Sequence, residues 1–150
     1  MPRQEALETL SVIAGGLRPE DRAEALAATG GDPEATLVRS FDLSTHAWFI
    51  YDRDGVPIGI MGAAPGPKAG VGIVWMMGTT GLDREWVGVA RQTRRYLDEM
   101  HGAYHLLWNY IDARNELSLN WLLWSGFHMI DADTTYGVEG RLFYEFARVG

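Results

Sequence analysis

Residues 71–110 read VGIVWMMGTTGLDREWVGVARQTRRYLDEMHGAYHLLWNY, and the succession of elements in them decides the fold. Val71 to Met77 is an apolar run rich in strand formers. From Asp83 to Met100, Trp86, Val87, Ala90, Tyr96 and Leu97 lie among charges, the pattern of a one-faced helix that stops before Gly102. Tyr104 to Tyr110 is strand-like again. A strand, a crossover helix and a second strand predict a parallel pair, because a tight turn cannot join parallel neighbours.

Toward the N-terminus, Trp48 to Tyr51 and Val56 to Ala63 flank Asp54-Gly55, a hairpin signal, and the loop from Ala64 to Gly70 leads into Val71. The three strands predict an antiparallel meander. Three helices precede it. The first runs from Gln4 to Ala14 and stops at Gly15-Gly16. The second starts at Pro19 with Glu20 and Asp21 in its first turn and stops at Gly30-Gly31, and Asp32-Pro33-Glu34 opens a third that ends near Phe41. Toward the C-terminus, Asn115 to Trp124 reads as a helix, and Phe127 to Asp131 and Arg141 to Arg148 read as strands. The whole predicts one mixed α/β domain over residues 1–150, with no repeat or linker.

The chain has 150 residues, 47% of them hydrophobic and 22% charged, enough to bury a sizeable core. It contains no cysteine, which excludes disulfides, thiolate metal sites and a cysteine nucleophile. A net charge of −7 argues against nucleic acid as a partner. No apolar stretch reaches the ~18 residues of a spanning helix. Glu5 and Glu8 interrupt the first fifteen residues, so no signal peptide is read there.

Asn115, Ser118, Gly126 and Phe127 match the spacing of a helix that, with the meander and crossover before it, resembles the GNAT superfamily of N-acetyltransferases. At the position where that family carries a tyrosine, this chain has Leu122. Leu17-Arg18-Pro19-Glu20-Asp21, residues 55–62, residues 75–80 and residues 115–127 together resemble a family of small tailed-phage proteins, labelled internal virion protein or acetyltransferase-like.

The first resemblance implies a GNAT-like fold, from which the N-terminus is expected to depart: Met1 to Arg3 precede the first helix, so the usual first strand is short or absent. It implies acetyl-CoA in the V of a splayed parallel pair, against Trp75, Met76, Met77, Gly78, Thr79, Thr80 and Arg84 on one side and Asn115, Ser118 and Leu122 on the other. Two departures imply that this cofactor is held weakly or not at all. Arg84, Gly88 and Ala90 mimic the pyrophosphate pattern with one residue too many, and a helix capped at Asp83 or Thr80 would put Asp83 and Glu85 in the anion's place. Leu122 supplies no proton to a leaving thiolate, and Tyr104, Tyr110 and Tyr136 are the tyrosines left to replace it.

The remaining constellations point to little chemistry. His101 and His105 lack a third ligand, so no metal is expected, and His46 and His128 read as sheet residues. Asp52 and Asp54 read as a hairpin turn bonding its own backbone. Arg94 and Arg95 stand four residues before Asp98 and Glu99, the spacing of surface ion pairs. Trp86 and one of Trp121 or Trp124 are the tryptophans expected at the surface. The sequence therefore predicts a degenerate GNAT-like phage protein acting through a protein partner, in the virion or on a host factor. The alternative is an active acetyl-CoA-dependent N-acetyltransferase. The expected setting is the host cytoplasm or the virion interior; a homo-oligomer stays open, and no catalytic residue is assigned.

Overall fold

The computed structural model describes the backbone of residues 1–150 and every side chain except those of Ala28 and Thr29. Three helices come first: α1 (Arg3–Gly15), α2 (Pro19–Thr29) and α3 (Pro33–Leu43). Pro19 and Pro33 sit in the first turns of α2 and α3, where a missing N–H costs nothing, and the Asp32 side chain accepts from the Ala35 amide at 3.0 Å. The strands β1 (His46–Tyr51), β2 (Pro57–Pro65) and β3 (Val71–Gly78) follow as the predicted meander. At the hairpin, Asp52 accepts from the amides of Asp54 and Val56, and Gly55 alone takes a positive φ, 78°.

The helix expected over 83–100 is broken. It is divided into α4 (Gly81–Arg84) and α5 (Trp86–Met100), separated by Glu85. Gly81 lets α4 begin hard against β2, since a Cβ there would lie 2.5 Å from Ile58. After β4 (Leu106–Asp112) come α6 (Glu116–Trp124), β5 (His128–Asp133) and β6 (Phe143–Val149). Strand limits move by one or two residues from the sequence reading, as frayed ends do.

The six strands lie in the order β1-β2-β3-β4-β6-β5, and β3/β4 is the parallel pair among antiparallel neighbours. Before α1 there is no strand among the described residues; after α1 the chain meets the end of β3 through a Leu17–Thr79 bridge and the Arg18 amide on the Gly78 carbonyl. Alternation along β2 sends Ile60 and Met61 to opposite faces. Ile60 joins Leu10, Ile13 and Leu37 under α1 and α3, whereas Met61 joins Val74, Leu97, Leu107, Trp121 and Phe127 under α5 and α6. Each such fully buried aliphatic side chain contributes about 1.5–3 kcal/mol. Trp121 fixes α6 on α5 by donating its indole N–H to Thr93 Oγ1 at 2.7 Å.

One surface expectation changes. Arg94 lies 4.7 Å over the Trp124 ring, and Asp98 pairs with Arg148 at 3.2 Å, so the predicted Arg94–Asp98 pair gives way to packing between α5 and α6. Trp124 is 44% exposed while Trp121 is buried.

Candidate active site in the splay of the parallel strands

The β3/β4 ladder is short: Val71, Gly72 and Ile73 pair with Leu106, Leu107 and Trp108, and beyond them the strands part. Gly72 permits this close start, because a Cβ there would lie 2.6 Å from the Tyr104 ring. The Asn109 amide inserts into the fork and donates to the Val74 carbonyl. Along β3, the carbonyl of Val71 faces β2, and those of Val74 and Gly78 face the other way. Met76, of the same parity, therefore turns its N–H and C=O into the opening, where β4 has no residue paired with it.

The wide end of the fork is closed by the turn between α1 and α2. Gly78 donates to Asp21 Oδ2 at 2.9 Å and accepts from the Arg18 amide at 2.9 Å. Arg18, 3% exposed, gives Nη1 to Asp21 Oδ1 at 3.0 Å and holds its Nε 3.3 Å from Asp83 Oδ1. Asn115, at the start of α6 and 2% exposed, donates Nδ2 to Asp21 Oδ1 at 3.0 Å and to Glu24 Oε2 at 2.7 Å, while its Oδ1 caps the Ser118 amide.

Glu24 is the residue that the sequence reading missed. It sits one turn along α2 from Asp21, partly buried, and burial pushes its carboxyl up to about 8. The charges of Asp21 and Asp112 add to the rise, while the Asn115 hydrogen bond and Arg18 oppose it. The signal was present as two acids three apart, hence on one helix face, in a segment otherwise full of alanine. Burial raises Asp21 as well, against the pull of Arg18, Gly78 and Asn115.

Glu24 opens onto a cavity of about 250 Å³ between α2, α3 and the splayed strands, lined also by Trp75, Met76, Asn109, Tyr110, Tyr136 and Phe143. Tyr136 stacks on Tyr110 with ring centroids 4.1 Å apart. Both phenols are raised, chiefly by loss of water; nearby carboxylates reinforce this, Glu145 for Tyr110 and Glu24 for Tyr136. They stay protonated and can donate. Tyr104 does not line the cavity; its hydroxyl meets Thr45 Oγ1 at 2.6 Å.

The residues that the resemblance implied for the cofactor fall into four groups. Trp75, Met76 and Met77 line the cavity, with the Trp75 indole donating to Ser44 Oγ at 2.8 Å. Gly78, Asn115 and Ser118 belong to the closed network above. Thr79 binds Ile58 and the Gly81 amide, Thr80 starts α4 without a side-chain cap, and Arg84 lies exposed beside Arg53, Glu85 and Trp86. Leu122 is 1% exposed in the core under α5 and α6.

Of the two acids expected in the anion's place, Glu85 does stand at the start of α5, beside Trp86, Val87 and Gly88. Asp83 turns to Arg18, and Glu85 pairs with Arg53 at 3.5 Å. The break at Glu85 leaves the amides of Trp86, Val87 and Gly88 without an i−4 acceptor, and a Cβ on Gly88 would meet nothing within 4 Å. An acyl-CoA fits these features: a phosphate can meet the α5 N-terminus, and an extended amide chain can meet Met76.

No family model and no curated protein matches the sequence. Solved structures do. The chain is similar to a proposed phosphinothricin N-acetyltransferase, with TM-score 0.71 and 15% identity over 99% of this chain and 95% of that one. A ribosomal-protein-S5-alanine acetyltransferase from Vibrio fischeri gives 0.65 and 16% over 95% and 88%. A GCN5-related N-acetyltransferase from Kribbella flavida gives 0.60 and 19% over 97% and 88%. The fold is GNAT-like. At these identities the likeness concerns the fold, and the chemistry rests on the site itself.

Proposed function

We propose that the chain transfers an acyl group from an acyl-CoA to an amine. The observation that carries this reading is the cavity at the β3/β4 fork with Glu24 in its lining. Acyl-CoA would supply an activated thioester, held by the Met76 backbone groups and by the amides at the start of α5, with Arg84 and Arg53 nearby. An ammonium entering from the helical face is unreactive until it loses a proton. Glu24, with its pKa lifted near the working pH, is suited to take that proton. The nitrogen then attacks the thioester carbon, the carbon–sulfur bond breaks, Tyr110 or Tyr136 is suited to give its proton to the departing sulfur, and the second proton that the nitrogen loses restores the phenol.

The test is thiol release from acetyl-CoA with a panel of amines, for the wild type and Glu24→Gln. The wild type should turn over, with kcat/KM rising as Glu24 ionises around pH 8, and the variant should lose about 10²–10⁴ in rate. Equal rates for both proteins would remove Glu24 from the role of base.

A second reading rests on different residues. Asn115 and Gly78 are committed to internal partners, Leu122 has no hydroxyl, and Trp124, Met129 and Ile130 are exposed. They support a phage-type protein that has lost acetyl transfer and works by contact, in a virion or on a host factor. Absence of acetyl-CoA binding, with a folded protein, would put this reading first.

A further inference from the structure

We propose that the cavity takes a small apolar monoamine without a carboxylate, its nitrogen at Glu24 and its body between Trp75, Tyr110, Tyr136 and Phe143. The amine's fate as acyl acceptor rests on the acyltransferase reading; its binding does not.

Charge decides the class. Among the described residues that line the cavity, Glu24 is the one carboxyl, and no lysine or arginine joins it. An amino acid would bring a carboxylate that meets no cation, and an unpaired charge taken out of water is strongly disfavoured. A polyamine or an aminoglycoside would bring further ammonium groups, and no second carboxyl lines the cavity to pair with them. One acid calls for one ammonium. Glu24 Oε2 is engaged by Asn115, which fixes the carboxyl and leaves Oε1 for the ligand.

The walls set the rest of the molecule. Tyr136 stacks on Tyr110 and lies 5.0 Å from Phe143, so a continuous aromatic surface runs away from Glu24. Aromatic faces favour both an apolar body and a nearby ammonium. A volume of about 250 Å³ equals that of about eight liquid waters, room for an amine of about ten non-hydrogen atoms. Thr36, Ser40 and Asn109 supply neutral polar atoms at the lining, which suit a ligand hydroxyl and make no demand for charge.

The experiment is calorimetric titration of the full chain, without acetyl-CoA, with 2-phenylethylamine, L-phenylalanine, spermidine and kanamycin. 2-Phenylethylamine and L-phenylalanine differ only in the carboxylate. The amine should bind about tenfold or more tighter than the amino acid and than either polycation. Glu24→Gln and Tyr136→Leu should each weaken it by about tenfold with unchanged circular dichroism. Equal or tighter binding of L-phenylalanine, spermidine or kanamycin would overturn the assignment, as would no binding of 2-phenylethylamine by the folded protein. Thiol release from acetyl-CoA separates the two readings. If 2-phenylethylamine binds but releases no thiol, the cavity assignment stands and the acyltransferase reading falls. If thiol is released with spermidine or kanamycin alone, the acyltransferase reading stands and the cavity assignment falls.

Discussion

Glu24 carries a proton at a pH where an ordinary glutamate has lost it, and that has a consequence for stability. Its folded pKa, about 8, lies above the ordinary 4.5, so between these values the folded chain binds a proton that the unfolded chain has released. Stability from this group is complete below about pH 4.5 and is lost as pH rises toward 8. Asp21, also raised, acts in the same direction, and Asp112, lowered beside Arg114, acts in the opposite one. Glu24→Gln keeps a carbonyl oxygen for Asn115 and removes the titration. Its melting temperature should fall less than the wild type's between about pH 5 and pH 8, and parallel curves would show that Glu24 titrates normally. Arg18 makes a second, larger prediction. Arg18→Ala leaves Asp21 buried without its cation, so unfolding in urea should show a loss of about 3–5 kcal/mol; a loss below about 1 kcal/mol would mean that Asp21 is neutral in the wild type.

The elements were legible in the sequence to different depths, and the residues explain why. Val71–Gly78 and the strand after the crossover announce themselves because both open as runs of apolar strand formers, and Gly126 announces the end of α6 with a φ of 93°. Gly126→Val should therefore cost about 1 kcal/mol or more in a thermal melt, although space alone would allow the side chain. The break at Glu85 was not legible, since Asp83 to Met100 has helical periodicity throughout and the interruption depends on how α4 sits against Ile58. Nor was the cavity: Glu24 looks like a surface residue in an alanine-rich helix, and Tyr136 lies in a loop that shows no pattern. Leu122 was legible as the missing tyrosine, yet it lies in the core. Leu122→Tyr should lower stability by about 1–3 kcal/mol through overpacking, and thiol release should not rise above the wild type's.

At the scale of the whole molecule, a short first contact at Leu17–Thr79 takes the place of an opening strand, and the turn that makes it carries Arg18 and Asp21 into the wide end of the fork. The same network that closes Gly78 and Asn115 also holds Glu24, which lines the cavity, so one set of bonds ties α2 to α6 and to the end of β3. What stays open for an acyl-CoA is Met76 and the start of α5. Calorimetric titration with acetyl-CoA tests this most directly, on the wild type and on Gly88→Glu, which sets a carboxylate in the first turn of α5. The wild type should bind with a dissociation constant of about 10 micromolar or tighter, weakened at least about tenfold in the variant. No heat from the folded wild type up to about millimolar acetyl-CoA would contradict it.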